Sequence, residues 1–333
     1  MAFTLMNSLD TIFISYDEEN CEENWADLQD KVPWAKRVHG VKGSDAAHKA
    51  AANLSDTDRF ISVDGDNIVD ANFFDMELDF DHPKLKDKAV SWTARNYING
   101  LEYGNGGLKC WPKQYVLDMH THENAYSDDE RNQVDFCWED SYVQMINQYS
   151  VTYPSGSPRQ AFRAGFREGV KMGLHQGGKI DAEGFKKTIW FGNYKRLITW
   201  CSVGADVENG LWAMYGTRLG CQMTNLTDWD YLNVRDFDWL NTFFSEEVMP
   251  KFVSKSTSAD TIKCYKTGYT YNTKKLLKAI KGLGVDLRKG LGIEIAELDE
   301  TQSKFYKAAY YNVPRMNKMF TEEELAQLRK TNK

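Results

Sequence analysis

The sequence predicts an α/β fold, a sheet that is parallel at least at its start, followed by a mainly helical C-terminal region. Two observations carry this. Short β-type runs alternate with helix-type stretches over the first hundred residues, and from about residue 159 the apolar spacing becomes helical. No run of about 18 apolar residues interrupts either part, so nothing in the pattern reads as a membrane span.

TIFISY (11–16) is the first strand. Asn20 and Glu23 then have the spacing of a capping box, opening a helix through Trp25 and Leu28. KRVHGV (36–41) is the second strand, and Ser44 is placed to cap the alanine-rich helix 45–54. RFISV (59–63) is the third and ends directly at Asp64-Gly65-Asp66; KAVSWTARNY (88–97) is the fourth. SYVQMINQY, after Glu139-Asp140, has the apolar spacing of a helix. Further helices are expected over 159–175, 183–202, 206–221, 236–252, 273–281, 301–311 and 321–330. Thr321 and Glu324 form another capping box, and 253–272 reads as a mobile connection. The change of pattern divides the chain into an α/β part, 1–178, and a helical, net basic part, 179–333.

The net charge of −7 is unevenly spread. Residues 1–150 carry 13 Lys and Arg against 28 Asp and Glu, whereas 151–333 carry 28 against 20, which implies regions with different partners. The six cysteines are scattered with no CxxC pair, and the N-terminus has no secretory pattern. Reduced thiols in a cytoplasmic protein are the expectation, without a structural zinc site.

Asp64-Gly65-Asp66 carries the most specific chemistry. Two carboxylates two residues apart in an extended segment leave the same face, and the glycine lets a ligand approach the backbone. Hard oxygen ligands suit Mn²⁺ or Mg²⁺, whose open positions take phosphate oxygens. Leu101–Lys109 holds Gly104, Gly106 and Gly107, which permit a tight turn where a small polar ligand could meet backbone amides. Trp138-Glu139-Asp140 either satisfies a helix dipole or supplies a general base beside an aromatic wall. In 159–175, Ala161, Gly165, Gly169 and Gly173 form a small-residue stripe for close packing. Beside it Arg159, Arg163, Arg167 and Lys171 form a basic one, either a solvated face or a holder of phosphates. His175, at the end of that helix, is the histidine best placed to act as a distant metal ligand.

Taken in order, these pieces resemble the GT-A glycosyltransferase fold: Ser15-Tyr16-Asp17 at the first strand end, Asp64-Gly65-Asp66, Gly106-Gly107, then Trp138-Glu139-Asp140. FISYDEENCEENW, NGLEYGNGGLKCWP, PRQAFRAGFREGVK and ADVENGLWAMYGTRLG are more narrowly similar to tailed-bacteriophage glycosyltransferases implicated in glycosylating DNA bases, including arabinosylation of hydroxymethylcytosine. The resemblance implies a UDP-sugar donor contacted by Ser15, Tyr16, Asp17, Asp64, Gly106, Gly107 and Trp138. It implies a metal on Asp64 and Asp66, with His175 as a third ligand, and Asp140 or Glu139 as base. A DNA acceptor would be held by Arg159, Arg163, Arg167, Lys171, Lys274, Lys275 and Lys278. A transferase acting on a surface polysaccharide, or an inactive nucleic-acid-binding relative, would share much of this pattern.

Overall fold

The structure is a computed structural model that describes residues 3–121, 141–253, 261–263 and 270–310. Its centre is a mixed sheet of seven strands. In chain order these are β1 (Asp10–Ser15), β2 (Lys36–His39), β3 (Arg59–Asp64), β4 (Asn67–Val69), β5 (Ala89–Asn96), β6 (Glu102–Pro112) and β7 (Tyr142–Thr152). The spatial order is β2-β1-β3-β6-β5-β7-β4. β1 runs parallel to both β2 and β3, with Ser15 opposite His39 and Ile14 opposite Asp64. β6 is antiparallel to its two neighbours, and β7 is parallel to β5.

The expected βαβαβ start is present, with helices α1 (Cys21–Lys31) and α2 (Ser44–Leu54) between the parallel strands. Period-two alternation puts Phe13, Ile61 and Val63 in the core on one face with Leu28 of α1. Ile12 and Phe60 go to the other face, against Ala51 and Ala52 of α2. Both expected caps differ in detail. Asn20 precedes α1 but turns its side chain away, donating to the Tyr153 carbonyl (2.9 Å). Ser44 is the first residue of α2, whose N-cap is Gly43 at φ 94°.

The segment expected as the helix SYVQMINQY is instead strand β7. Its apolar residues fit either period, and pairing decides. β5 takes one edge and β4 the other, while Tyr142 packs on Trp111 and Met145 on the opposite core.

The helical half consists of α3 (Pro158–Met172), α4 (Phe191–Ser202), α5 (Gly210–Leu226), α6 (Thr273–Leu291) and α7 (Glu300–Tyr310), with shorter turns between them. The helix expected over 183–202 is interrupted: a short helix ends at Thr188, Ile189 and Trp190 are extended, and α4 begins at Phe191. α3 starts at the Ser157 cap, whose Oγ accepts from Gln160 N (3.0 Å), and Pro158 stands where its missing N–H costs nothing.

The small-residue stripe forms a seam between α3 and α5. A Cβ on Gly165 would stand 2.0 Å from the Ala213 carbonyl oxygen, and one on Gly169 2.1 Å from that of Thr217. Gly216 and Gly220 return the fit, 2.4 Å from the carbonyl oxygens of Phe162 and Phe166. Because α3 is built into the helical layer, and Ile98 and Leu101 of the sheet region share its core, residue 178 does not separate two cores. Among the described residues no helix is long and apolar enough to cross a membrane.

Candidate active site

A cavity of about 580 Å³ opens at the carboxyl ends of β1 and β3, where ligands of such sheets gather. Its floor is Ser15, Tyr16, Asp17 and Glu18 after β1, and Asp64, Gly65 and Asp66 after β3. α2 supplies one wall with Ser44, Ala47 and His48. Gln160, Arg163 and Arg167 of α3 supply the facing wall, and residues 235–238 with Asn241 close it.

The Asp-Gly-Asp turn is held from several sides. β7 ends beside it: Tyr153 N donates to the Asp66 carbonyl (2.7 Å) and Thr152 Oγ1 to the Asp66 carboxylate (2.9 Å). Asn67 Nδ2 donates to the other carboxylate oxygen (3.0 Å), while Asn24 Nδ2 donates to the Gly65 carbonyl (2.9 Å). Gly65 lies under Glu18, since a Cβ there would stand 2.8 Å from Glu18 Oε2. Burial, followed by the charges of Asp64 and Glu18, pushes the half-buried Asp66 carboxyl up to about 6. Four carboxylates, those of Asp17, Glu18, Asp64 and Asp66, share this floor.

Gly106 and Gly107 do not form a turn. Both lie within strand β6, and their size is what matters. A Cβ on Gly107 would meet Asn67 Nδ2 at 2.2 Å and Asp64 Cβ at 2.7 Å; one on Gly106 would meet the Ala94 N and Trp92 O backbone atoms at 2.6 Å. They let β6 pass directly behind Asp64.

The basic stripe turns inward. Arg159 Nη2 donates to the Asp17 carbonyl (2.8 Å) and pairs with Glu19 (3.0 Å); Arg163 reaches the Asp17 carboxylate (3.3 Å). Burial alone would raise the Asp17 pKa, but Arg163 and Arg159 outweigh it and hold the carboxyl below its ordinary value. The Arg163 and Arg167 guanidinium groups lie 5.2 and 4.8 Å from the Phe237 ring centroid. Lys171, one turn on, pairs with Glu168 (2.8 Å) and does not line the cavity.

His175 is exposed, in a tight turn paired with Gly178, and is not among the residues that line the cavity. α3 itself ends at Met172, about 7.5 Å along the helix axis beyond Arg167 at 1.5 Å per residue, and His175 follows it in the turn. Trp138, Glu139 and Asp140 lie outside the described residues, as does the expected helix 321–330. Ser141, the first described residue after them, accepts from Ala89 N (2.9 Å) at the amino-terminal end of β5, the end of the sheet opposite Asp64. Lys274, Lys275 and Lys278 are exposed at the start of α6.

Sequence reasoning missed Glu18, His48 and the closing segment 235–241. Glu18 directly follows the Ser15-Tyr16-Asp17 strand end and was there to be read. His48 hides inside an alanine-rich helix: it is 8% exposed, its Nδ1 is bonded to the Ser44 carbonyl (2.8 Å), and burial lowers its pKa against the pull of Asp64. Segment 235–241 meets the cavity only through tertiary packing.

Among the described residues, the one compact group of three potential metal ligands is Cys21, Glu22 and His39. A guanidinium already occupies it: Arg37 Nη2 stands 2.6 Å from Glu22, 3.1 Å from His39 and 3.5 Å from Cys21 Sγ. The Asp64/Asp66 floor suits a divalent cation better. It offers two hard carboxylates and excess negative charge, and Mg²⁺ or Mn²⁺ completes its shell with water and substrate phosphate. Comparison with protein-family models, curated proteins and solved structures found no match.

Proposed function

We propose that the protein is a metal-dependent glycosyltransferase of the GT-A type that binds a UDP-sugar in this cavity. The observation that carries the reading is the meeting of Asp64 and Asp66 with Arg163 and Arg167 across one cavity at the ends of parallel strands. Carboxylates for a cation and guanidinium groups for phosphates are what a nucleoside diphosphate requires on its two sides.

The particular enzyme proposed is a DNA-modifying one. It moves a sugar, arabinose being one candidate, to the hydroxyl of 5-hydroxymethylcytosine in DNA, in the host cytoplasm if a phage encodes it. A bound Mn²⁺ or Mg²⁺ supplies Lewis-acid neutralisation of the departing diphosphate. The chain's own residues do the rest. Asp64 and Asp66 are fixed by Gly107, Asn67 and Thr152, so their geometry is set before the donor arrives. Arg163 and Arg167, braced on Phe237, face the negative charge that grows as the glycosidic bond breaks. Asp17 holds Arg163 and Arg159 in place. Arg163 and Arg167 of the stripe thus serve the donor, leaving Lys274, Lys275 and Lys278 on an outer face for DNA phosphates.

The direct test is thermal stabilisation by a panel of sugar nucleotides with and without Mn²⁺. A UDP-sugar that raises the melting temperature only with the metal supports the reading. Equal stabilisation by UDP-sugars without any cation dependence, or none at all, removes it.

A further inference from the structure

Trp190 and Phe191 stand side by side on the surface, 56% and 66% exposed, where the chain is extended before α4. Two adjacent exposed aromatic side chains of this size are expensive to leave in water without a purpose. Nor are they loose. Gly192 lies against the Trp190 ring, where a Cβ would stand 2.4 Å from its nearest carbon. The Arg196 guanidinium lies 5.2 Å from the same ring, and Lys195 Nζ lies 4.5 Å from the Phe191 ring.

The cations against them are Lys195 and Arg196, and Lys187, three residues before Trp190, is exposed as Lys195 is. Lys186 is paired with Glu294 and Lys179 with the Thr227 and Trp229 carbonyls. Rigid aromatic faces interleaved with cations suit unpaired nucleobases and their phosphates, because every base has a π-face and every nucleotide a negative charge. The patch is also tied to the cavity. Arg196 lies 4.6 Å from the ring of Tyr103 as well, and Tyr103 belongs to β6, the strand whose Gly107 backs Asp64. Tyr103 and Gly107 lie four residues apart along the strand.

We infer that Trp190 and Phe191, with Lys187, Lys195 and Arg196, form a stacking platform for single-stranded or extruded nucleotides flanking the acceptor base. The inference rests on the DNA-acceptor reading and names the surface that receives the strand. A base that reacts must leave the duplex, and its unstacked neighbours then need a replacement for the stack they lost.

The test uses the full chain and its Trp190→Ala/Phe191→Ala variant, with Lys187→Ala/Lys195→Ala as a second. Both change exposed side chains. Binding of a fluorescent single-stranded oligonucleotide containing hydroxymethylcytosine is measured over a salt series, alongside UDP-sugar hydrolysis as a donor-side control. The aromatic variant should lose about tenfold or more in oligonucleotide affinity with hydrolysis unchanged, the usual scale for losing stacking side chains. The lysine variant should flatten the salt dependence. If the wild type binds the oligonucleotide and the aromatic variant binds it equally well, the platform is wrong and the DNA reading stands. If the wild type hydrolyses UDP-sugars but binds no DNA, both fall and the donor site survives. Binding of the patch to phosphatidylserine vesicles in place of the oligonucleotide likewise overturns it.

Discussion

Asp66→Asn should make the protein more stable while abolishing metal-dependent UDP binding. The Asp66 carboxyl titrates near 3.8 when the chain is unfolded and about 6 in the fold. The folded state therefore holds the proton more tightly. Its stability is greatest below the unfolded value and is lost as pH rises through 6. A shift of this size corresponds to at most about 3 kcal/mol at 1.4 kcal/mol per unit; for a half-buried group that water reaches, about 1–2 kcal/mol is the realistic share. Asparagine removes the charge and keeps the shape. Its amide oxygen can still accept one bond, and the new NH₂ has two possible acceptors, the Thr152 hydroxyl and Asn67 Oδ1, which is buried without a partner. Urea unfolding without divalent cation should show the gain at pH 7.5, falling to about half near pH 5. Adding Mn²⁺ and UDP should stabilise the wild type and leave the variant where it was. A variant less stable than wild type at pH 7.5, or a gain that ignores pH, would refute the argument that like charge and burial strain this site.

Replacing both Arg163 and Arg167 by Ala should weaken UDP affinity by about 10–100-fold by calorimetry, the scale of lost charge-assisted bonds; an unchanged affinity would return the stripe to a solvated role. Gly107→Ala places a methyl 2.7 Å from Asp64 Cβ and 2.2 Å from Asn67 Nδ2, so metal-dependent UDP binding should be lost while the near-UV circular dichroism of the core persists. Gly169→Ala should cost about 1–3 kcal/mol in urea unfolding, because the Thr217 carbonyl oxygen 2.1 Å away must retreat. That loss exceeds the ~1 kcal/mol that alanine gains in helix propensity, so a stabilised variant would mean the seam is not there.

The parts of the fold legible in the sequence were those whose signal is local. RFISV has only one way to bury Phe60, Ile61 and Val63, so the third strand and the Asp-Gly-Asp turn at its end were both readable. The glycine spacing of 159–175 was legible for the same reason: a residue every four positions can only be a seam on one helix face. β7 was not, because Tyr142, Val143, Met145, Ile146 and Tyr149 fit a helix as well as a strand; the choice was made by β5 and β4, which lie far earlier in the chain. Gly106 and Gly107 read in the sequence as a turn, and the structure places them in a strand. Sequence shows that a side chain is missing, whereas only the structure shows that Asp64 and Asn67 fill the gap.

Part of the charge asymmetry is met inside the fold, beside the cavity. An excess of acid in residues 1–150 and of base in 151–333 reads as two regions with separate partners. In the folded chain part of that difference is internal. Asp17 and Glu19 of the acidic half pair directly with Arg159 and Arg163 of the basic half, and Lys42 pairs with Asp238 in the reverse sense. The two halves are opposite walls of one site, so opposite charge is what their apposition requires. A phosphate entering there meets arginines already oriented by carboxylates, and a cation meets carboxylates already crowded by one another. On the proposed reading, both ligands would bind a site whose electrostatic cost was met when the chain folded.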